Sequence, residues 1–239
     1  MIISPRPGHV TRNHRPIPAS ALRLIVSSLL TLSLFALNGC SLSLKPASGV
    51  EHYYLLTGGS SKLSSPSDFH PCVVRLLPIE APNFLQTRDM VVRAAPDEMV
   101  FATFHQWAEP LDAGVRRALA DDLRTSPAVR EVLTDEPDPG NTKVYVISIH
   151  IFDCEGNRTN GQNSILFEAR WEISQSNVAL AHGIFRAEPA SWRSGDYGDL
   201  AIQLSRAIEN LARLLNKTIC SQPAISHSVP ISGYGKDRG

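Results

Sequence analysis

Four segments in the first half of the chain alternate apolar with polar residues or form short apolar runs, as β-strands do. Between the last two segments stands Pro96-Asp97, a pair that favours a turn and predicts a hairpin. The predicted strands cover residues 53–56, 73–79, 90–94 and 100–107.

Two other segments carry apolar residues every three or four positions, the spacing of an amphipathic helix. Pro110 begins the first, because proline is tolerated in the first helical turn, and Pro127 ends it. Asp196 and Asp199 form the N-cap and first-turn acid of the second. The predicted helices cover 110–126 and 196–218, with stripes of Leu111, Val115, Leu119 and Leu123 and of Leu200, Leu204, Ile208, Leu211 and Leu215.

Three further strands are predicted between these helices, at 144–152, 165–173 and 178–188. In the second of them Phe167, Trp171 and their alternate neighbours are apolar while Glu168, Arg170 and Glu172 are charged, so one face is buried. Short turns join the three into a meander. The sequence therefore predicts an α/β fold in a single domain, with a mixed β-sheet of about six to seven strands and two main helices packed on it.

The N-terminal region is patterned differently from this domain. An apolar run at 24–37 follows four arginines and no acid, and its roughly 14 residues are too few to span a bilayer, which needs about 20. These features predict a signal peptide at 1–39, a tether at 40–50, the folded domain at 51–220 and a disordered tail at 221–239.

Leu37-Asn38-Gly39-Cys40, at the end of this run, resembles the lipobox of bacterial lipoproteins. The resemblance implies that Cys40 carries a diacylglycerol and, after cleavage, an N-acyl chain. Ser41 stands where an inner-membrane retention signal usually shows Asp, which implies the outer membrane. A tether of ten residues reaches at most about 33–36 Å, so the domain is expected to lie near that membrane and face the periplasm.

Charge and motifs exclude several function classes. Residues 40–239 hold 23 acidic and 19 basic side chains, and such an acidic chain is a poor partner for nucleic acid. Gly58-Gly59-Ser60-Ser61-Lys62 lacks the spacing of a phosphate-binding loop, and no G-x-S-x-G elbow is present. The carboxylates are scattered. We therefore expect no enzyme activity, no catalytic residue and no cofactor beyond the acyl groups on Cys40.

Three cysteines remain once Cys40 is lipidated, and an oxidising compartment allows one pair to form a disulfide. All three pairings are open, with Cys72 and Cys220 favoured because both lie at the ends of elements. His150 and Cys154 are predicted to share a strand face, but no second ligand pair stands nearby, so no metal site is expected.

Several segments resemble the PqiC-like family of ABC-type transport auxiliary lipoproteins. They are VVRLLPIEAPNFLQTRDMVVR, FHQWAEPLDAGVRRALADDL, VYVISIHIFDCEGN and FEARWEIS, together with the early Tyr-Tyr-Leu-Leu. The resemblance covers about residues 40–219. It implies a periplasmic subunit that works with an MCE-domain protein and with the permease and ATPase of an ABC transporter in lipid transport.

The candidate partner interface consists of Tyr53, Tyr54, Trp107, Glu109 and Leu111. Core packing is the alternative for the two tyrosines and the more frequent role of a tryptophan such as Trp107. A ring-shaped partner would also favour self-association of the subunit. Two alternatives stay open, a lipoprotein that encloses a lipid and a structural lipoprotein of the envelope.

Overall fold

The computed structural model describes residues 49–59, 61–65, 71–135 and 144–221. The predicted signal peptide, Cys40, most of the tether and almost all of the C-terminal tail lie outside these residues, so those assignments stay predictions. Eight strands form one mixed sheet within the described residues. They are β1 His52–Tyr54, β2 Cys72–Leu76, β3 Asp89–Ala95, β4 Glu98–Trp107, β5 Val129–Leu133, β6 Val144–Asn157, β7 Ser164–Gln175 and β8 Val178–Arg186.

Two α-helices, α1 Leu111–Arg124 and α2 Tyr197–Ser221, pack on the sheet, which confirms the predicted α/β class and both helices. Their apolar stripes form one buried cluster with the sheet residues. At the start of α2, the Asp196 side chain accepts the Asp199 N–H at 3.0 Å, and the Asp199 carboxylate accepts the Arg193 N–H at 2.9 Å. The first bond satisfies a donor that the helix start leaves free, and the second ties the helix to the chain before it.

β6 is the centre of the sheet because it has neighbours on both edges. β7 pairs antiparallel with β6 along nearly the whole length of β6. β2 and β3 share the other edge of β6, with β2 beside Val144–Ile147 and β3 beside Gly156 and Asn157. From β3 the sheet continues through β4 to β1, and from β2 to β5. The predicted 96–97 hairpin and the β6–β7–β8 meander are both confirmed.

β5 is a strand that the sequence pattern did not predict. It pairs in parallel with β2 and buries Val129, Val132 and Leu133. Its two central residues, Arg130 and Glu131, are exposed, so neither alternation nor a continuous apolar run marks the segment. The observed sheet therefore has one strand more than the upper predicted number.

A β-bulge at Phe152 corrects the prediction for His150 and Cys154. The pairing with β7 shifts between Ile151 and Asp153, so the extra residue reverses the alternation along β6. His150 pairs with Arg170 on the partly exposed face, whereas Cys154 pairs with Phe167 on the buried face. The two side chains therefore point to opposite sides of the sheet.

Candidate functional site

Residues 49–55 lead from the end of the tether into the sheet through β1. Among the described residues the strand pairs with β4 alone, in parallel, so its outer side is an edge of the described sheet. Val50, Tyr53 and Leu55 are 76%, 54% and 52% exposed. We call these three residues the β1 edge. Tyr53 lies on the edge strand, and Val50 and Leu55 lie just before and after it. Exposed apolar side chains next to a sheet edge are typical of a contact surface.

Tyr54 points to the other side of β1 and is half-buried. Its hydroxyl lies 2.9 Å from Nδ1 of His105, which stacks on His52 and Tyr197 with ring centroids 5.4 Å and 4.2 Å away. Burial, and then the neighbouring His52, lower the pKa of His105 and favour its neutral form. These rings fix β1 against β4 and the start of α2.

Parallel pairing creates this ring cluster, because it places His52 directly beside His105. Neither histidine was identified from the sequence. A local pattern shows that both segments contain aromatic residues and histidines. It does not show how two strands 53 positions apart are aligned, so the stacking could not be predicted.

Trp107 and Leu111, two predicted interface residues, are buried at 4% and 3% exposure. The Ala108 N–H donates to the Tyr54 carbonyl at 2.8 Å, and the Arg117 guanidinium donates to Glu109 at 3.0 Å and to the Leu56 carbonyl at 2.7 Å. This corner therefore joins β1 to α1. Of the five predicted interface residues, Tyr53 is the most exposed, while Trp107 and Leu111 belong to the core.

A cleft of about 430 Å³ lies on the sheet face opposite the core. His150 and Glu80 face each other there, with Nδ1 and Oε2 3.0 Å apart. Glu172 and His182 also line the cleft, and the Arg170 guanidinium lies 5.8 Å from the centre of the Phe152 ring. Charges of both signs therefore stand on this face. The sequence indicated only that this face carries both polar and apolar residues.

Cys72 and Cys220, the predicted disulfide pair, are free thiols in the structure, as is Cys154. Burial, and then the nearby Cys220, raise the pKa of Cys72 to about 11. Burial also raises the pKa of Cys154. Protonated thiols are poor nucleophiles and metal ligands. Within the described ranges, no three His, Cys, Asp or Glu side chains group closely enough to hold a metal ion.

None of the helices in the described part of the chain has the length and apolar character needed to cross a membrane. The open mixed sheet, the two helices packed on it and the exposed β1 edge define a small α/β domain. The chain belongs to the ABC-type transport auxiliary lipoprotein component family, whose model matches residues 53–215. Family membership makes it a lipoprotein component associated with an ABC-type transport system.

Two of the solved structures that share this fold have TM-scores above 0.5. An uncharacterized protein has a TM-score of 0.58 and 14% identity, covering 72% of this chain and 99% of its own. XCC0632 from Xanthomonas campestris has a TM-score of 0.57 and 15% identity, covering 71% of this chain and 96% of its own. At such low identity the similarity shows the fold alone. A comparison with curated proteins gives no match.

Proposed function

We propose that this lipoprotein is the outer-membrane subunit of an MCE/ABC-type lipid transport system and that its domain docks the transport conduit from the periplasmic side. Three observations support the location: family membership, the lipobox-like sequence ending at Cys40, and Ser41 in place of Asp. The acyl chains on Cys40 hold the protein in the membrane, since two or more chains give stable anchoring.

The observation that carries the docking role is the exposed β1 edge. Its three apolar side chains stand where the tether enters the domain, and an edge strand can accept a strand or an apolar surface from a partner. Trp107 pairs with Tyr54 of β1 and, like Leu111, is buried, so neither is assigned to the contact with the partner. The MCE-domain protein is the partner that we assign to this edge, and repeated copies of it would favour a cyclic arrangement of the lipoprotein.

The core weighs against the alternative of a lipid carrier. The layer between the helices and the sheet is filled by fully buried side chains such as Ile147, Ile151, Leu204 and Ile208. Protein interiors of this kind are close-packed, whereas a lipid site needs a large apolar cavity. The structure thus supports the docking of a partner at the β1 edge better than the enclosure of a lipid in the core.

Site-specific photocrosslinking in the cell envelope tests this proposal. A photoreactive residue at Tyr53 is expected to capture an MCE-domain protein, because Tyr53 lies at the centre of the β1 edge. Ile202 on α2 is the matched control, since it is apolar and 53% exposed, against 54% for Tyr53. The control position should capture little or none of the same protein.

Equal capture from both positions would refute the assignment to the β1 edge. No capture of an MCE-domain protein, under conditions that recover the other transporter subunits, would favour a structural envelope lipoprotein. A deletion strain adds a physiological measurement. We expect it to be sensitised to membrane-active compounds.

A further inference from the structure

A second concave surface lies between the loop that follows β1 and the C-terminal half of α2. It encloses about 290 Å³ and is lined by Lys62, Leu63, Ser64, Arg213, Asn216 and Lys217. We call it the cationic pocket. Three of the six lining residues are basic and none is acidic, in a domain whose acids outnumber its bases.

Asn216 builds the wall of this pocket from inside the protein, because its side chain is buried. Its amide nitrogen donates to the Ser64 carbonyl at 2.8 Å, and its amide oxygen accepts the Ser126 hydroxyl at 2.6 Å. The Leu63 N–H donates to the Thr125 hydroxyl at 3.2 Å. The backbone directly after Lys62 is therefore hydrogen-bonded to the end of α1 and to α2.

The two lysines supply the unbalanced charge. Arg213 pairs with Glu209 and also donates to Asn210 at 2.7 Å, so part of its charge is already used. Neither Lys62 nor Lys217 forms an ion pair with the described residues. The chain contains only five lysines, and two of them line this one pocket.

A second acid near this region is Asp122, which is buried and accepts the Gly59 N–H at 2.6 Å. Glu209 and Arg213 both influence it electrostatically. At neutral pH Glu209 and Asp122 together carry two negative charges among the described residues, against three positive charges from the lining. The balance at the mouth of the pocket remains positive.

Size and charge together indicate the class of ligand. Ligand pockets span about 300–1,000 Å³, so this one is at the lower limit and is too small for an acyl chain. Lysine ammonium groups bind phosphate as point charges, and Ser64 adds a polar partner. We propose that the cationic pocket binds a phosphate-type oxyanion, either free or as the headgroup of an anionic lipid.

This inference does not depend on the proposed docking role. Arg213 follows Tyr197, the α2 residue beside β1, by 16 positions, which is about 24 Å along a helix. Variants of the pocket should leave the β1 edge intact. The two experiments can therefore fail independently.

The test compares the full lipidated chain, in nonionic detergent, with the double variant Lys62→Gln/Lys217→Gln. Calorimetric titration with inorganic phosphate should show saturable binding to the wild type, weakened about tenfold or more in the double variant and reduced by added salt. Arg206→Gln is the matched control. It removes one positive charge from an exposed position on the same helix and should bind as the wild type does.

Native mass spectrometry distinguishes the two sources of phosphate. Retention of phosphatidylglycerol over phosphatidylcholine by the wild type, lost in the double variant, identifies a lipid headgroup. Phosphate binding without such retention identifies a free anion. The inference is overturned if neither ligand binds, if the double variant binds like the wild type, or if Arg206→Gln loses as much affinity. Thermal unfolding of each variant confirms that it is folded.

Discussion

The two faces of the β6–β7 ladder have the same backbone geometry and opposite chemistry. On one face Ile149 pairs with Trp171 and Ile147 with Ile173, all buried beneath the helices. On the other face His150 pairs with Arg170 and Ser148 with Glu172, next to an open cleft. One face holds the fold together, and the other is free to vary in charge without a large effect on stability.

The comparison predicts its largest effect at Trp171. Trp171→Ala should lower the free energy of unfolding by about 3–5 kcal/mol, because a large buried ring is replaced by a cavity. Denaturant unfolding measures the change. Glu172→Ala, one residue away on the exposed face, should change stability by less than about 0.5 kcal/mol. Similar losses in both variants would contradict the assignment of the faces.

Asp122, a buried acid on α1, gives a second test of the buried side of the molecule. Burial is the main cause that raises the pKa of Asp122 from 3.8 to about 6, while the Gly59 N–H lowers it. A raised carboxyl pKa means that the folded state binds the proton more tightly than the unfolded state. The resulting stabilisation is complete below about pH 4 and is lost as the pH rises through 6.

We therefore expect Asp122→Asn to remove the part of the pH dependence of stability that Asp122 causes. Over that pH range the wild type should lose up to about 3 kcal/mol of stability through this group, whereas the variant should not. Chemical denaturation at pH 4, 5, 6 and 7 measures both curves. Parallel curves would show that Asp122 does not titrate in this range.

The smallest effect is expected at β1, where neighbouring tyrosines face opposite sides. Tyr54→Phe removes the hydrogen bond to His105 and should cost about 0.5–1.5 kcal/mol. Tyr53→Phe removes only an exposed hydroxyl that donates to Glu51 at 2.6 Å, so its stability should be nearly unchanged. Thermal unfolding of the pair measures the difference. A greater loss in Tyr53→Phe would reverse the orientation given for β1.

Local patterns predicted the elements whose burial repeats regularly. Alternation in β7 and the four-residue spacing in α1 and α2 identify their buried faces, because each depends only on nearby residues. Most of the helices and strands could be predicted from the sequence for this reason. β5 was missed because Arg130 and Glu131 interrupt its short apolar pattern.

Contacts between distant segments could not be predicted in the same way. The Phe152 bulge is defined by pairing with β7, and the His52–His105 stack by the parallel register of β1 and β4. Lys62 and Lys217, which are far apart in sequence, line the same cationic pocket, where a hydrogen bond between Asn216 and Ser64 connects their two segments. Leu111 belongs to the apolar stripe that the helical spacing predicts to be buried, and the structure confirms that burial for Leu111 and also buries Trp107.

The short pairing of β1 with β4, at the point where the tether enters the domain, has a mechanical consequence. The tether enters at the start of β1, so a pull toward the anchor along the strand axis draws β1 backward against β4. Such a force shears the hydrogen bonds of the short ladder together instead of opening them one at a time. The ladder spans three residue pairs and is reinforced by the contacts of Tyr54 with His105 and Ala108. Because the strand is this short, tension on the anchor would release β1 before it disturbed the long β6–β7 ladder.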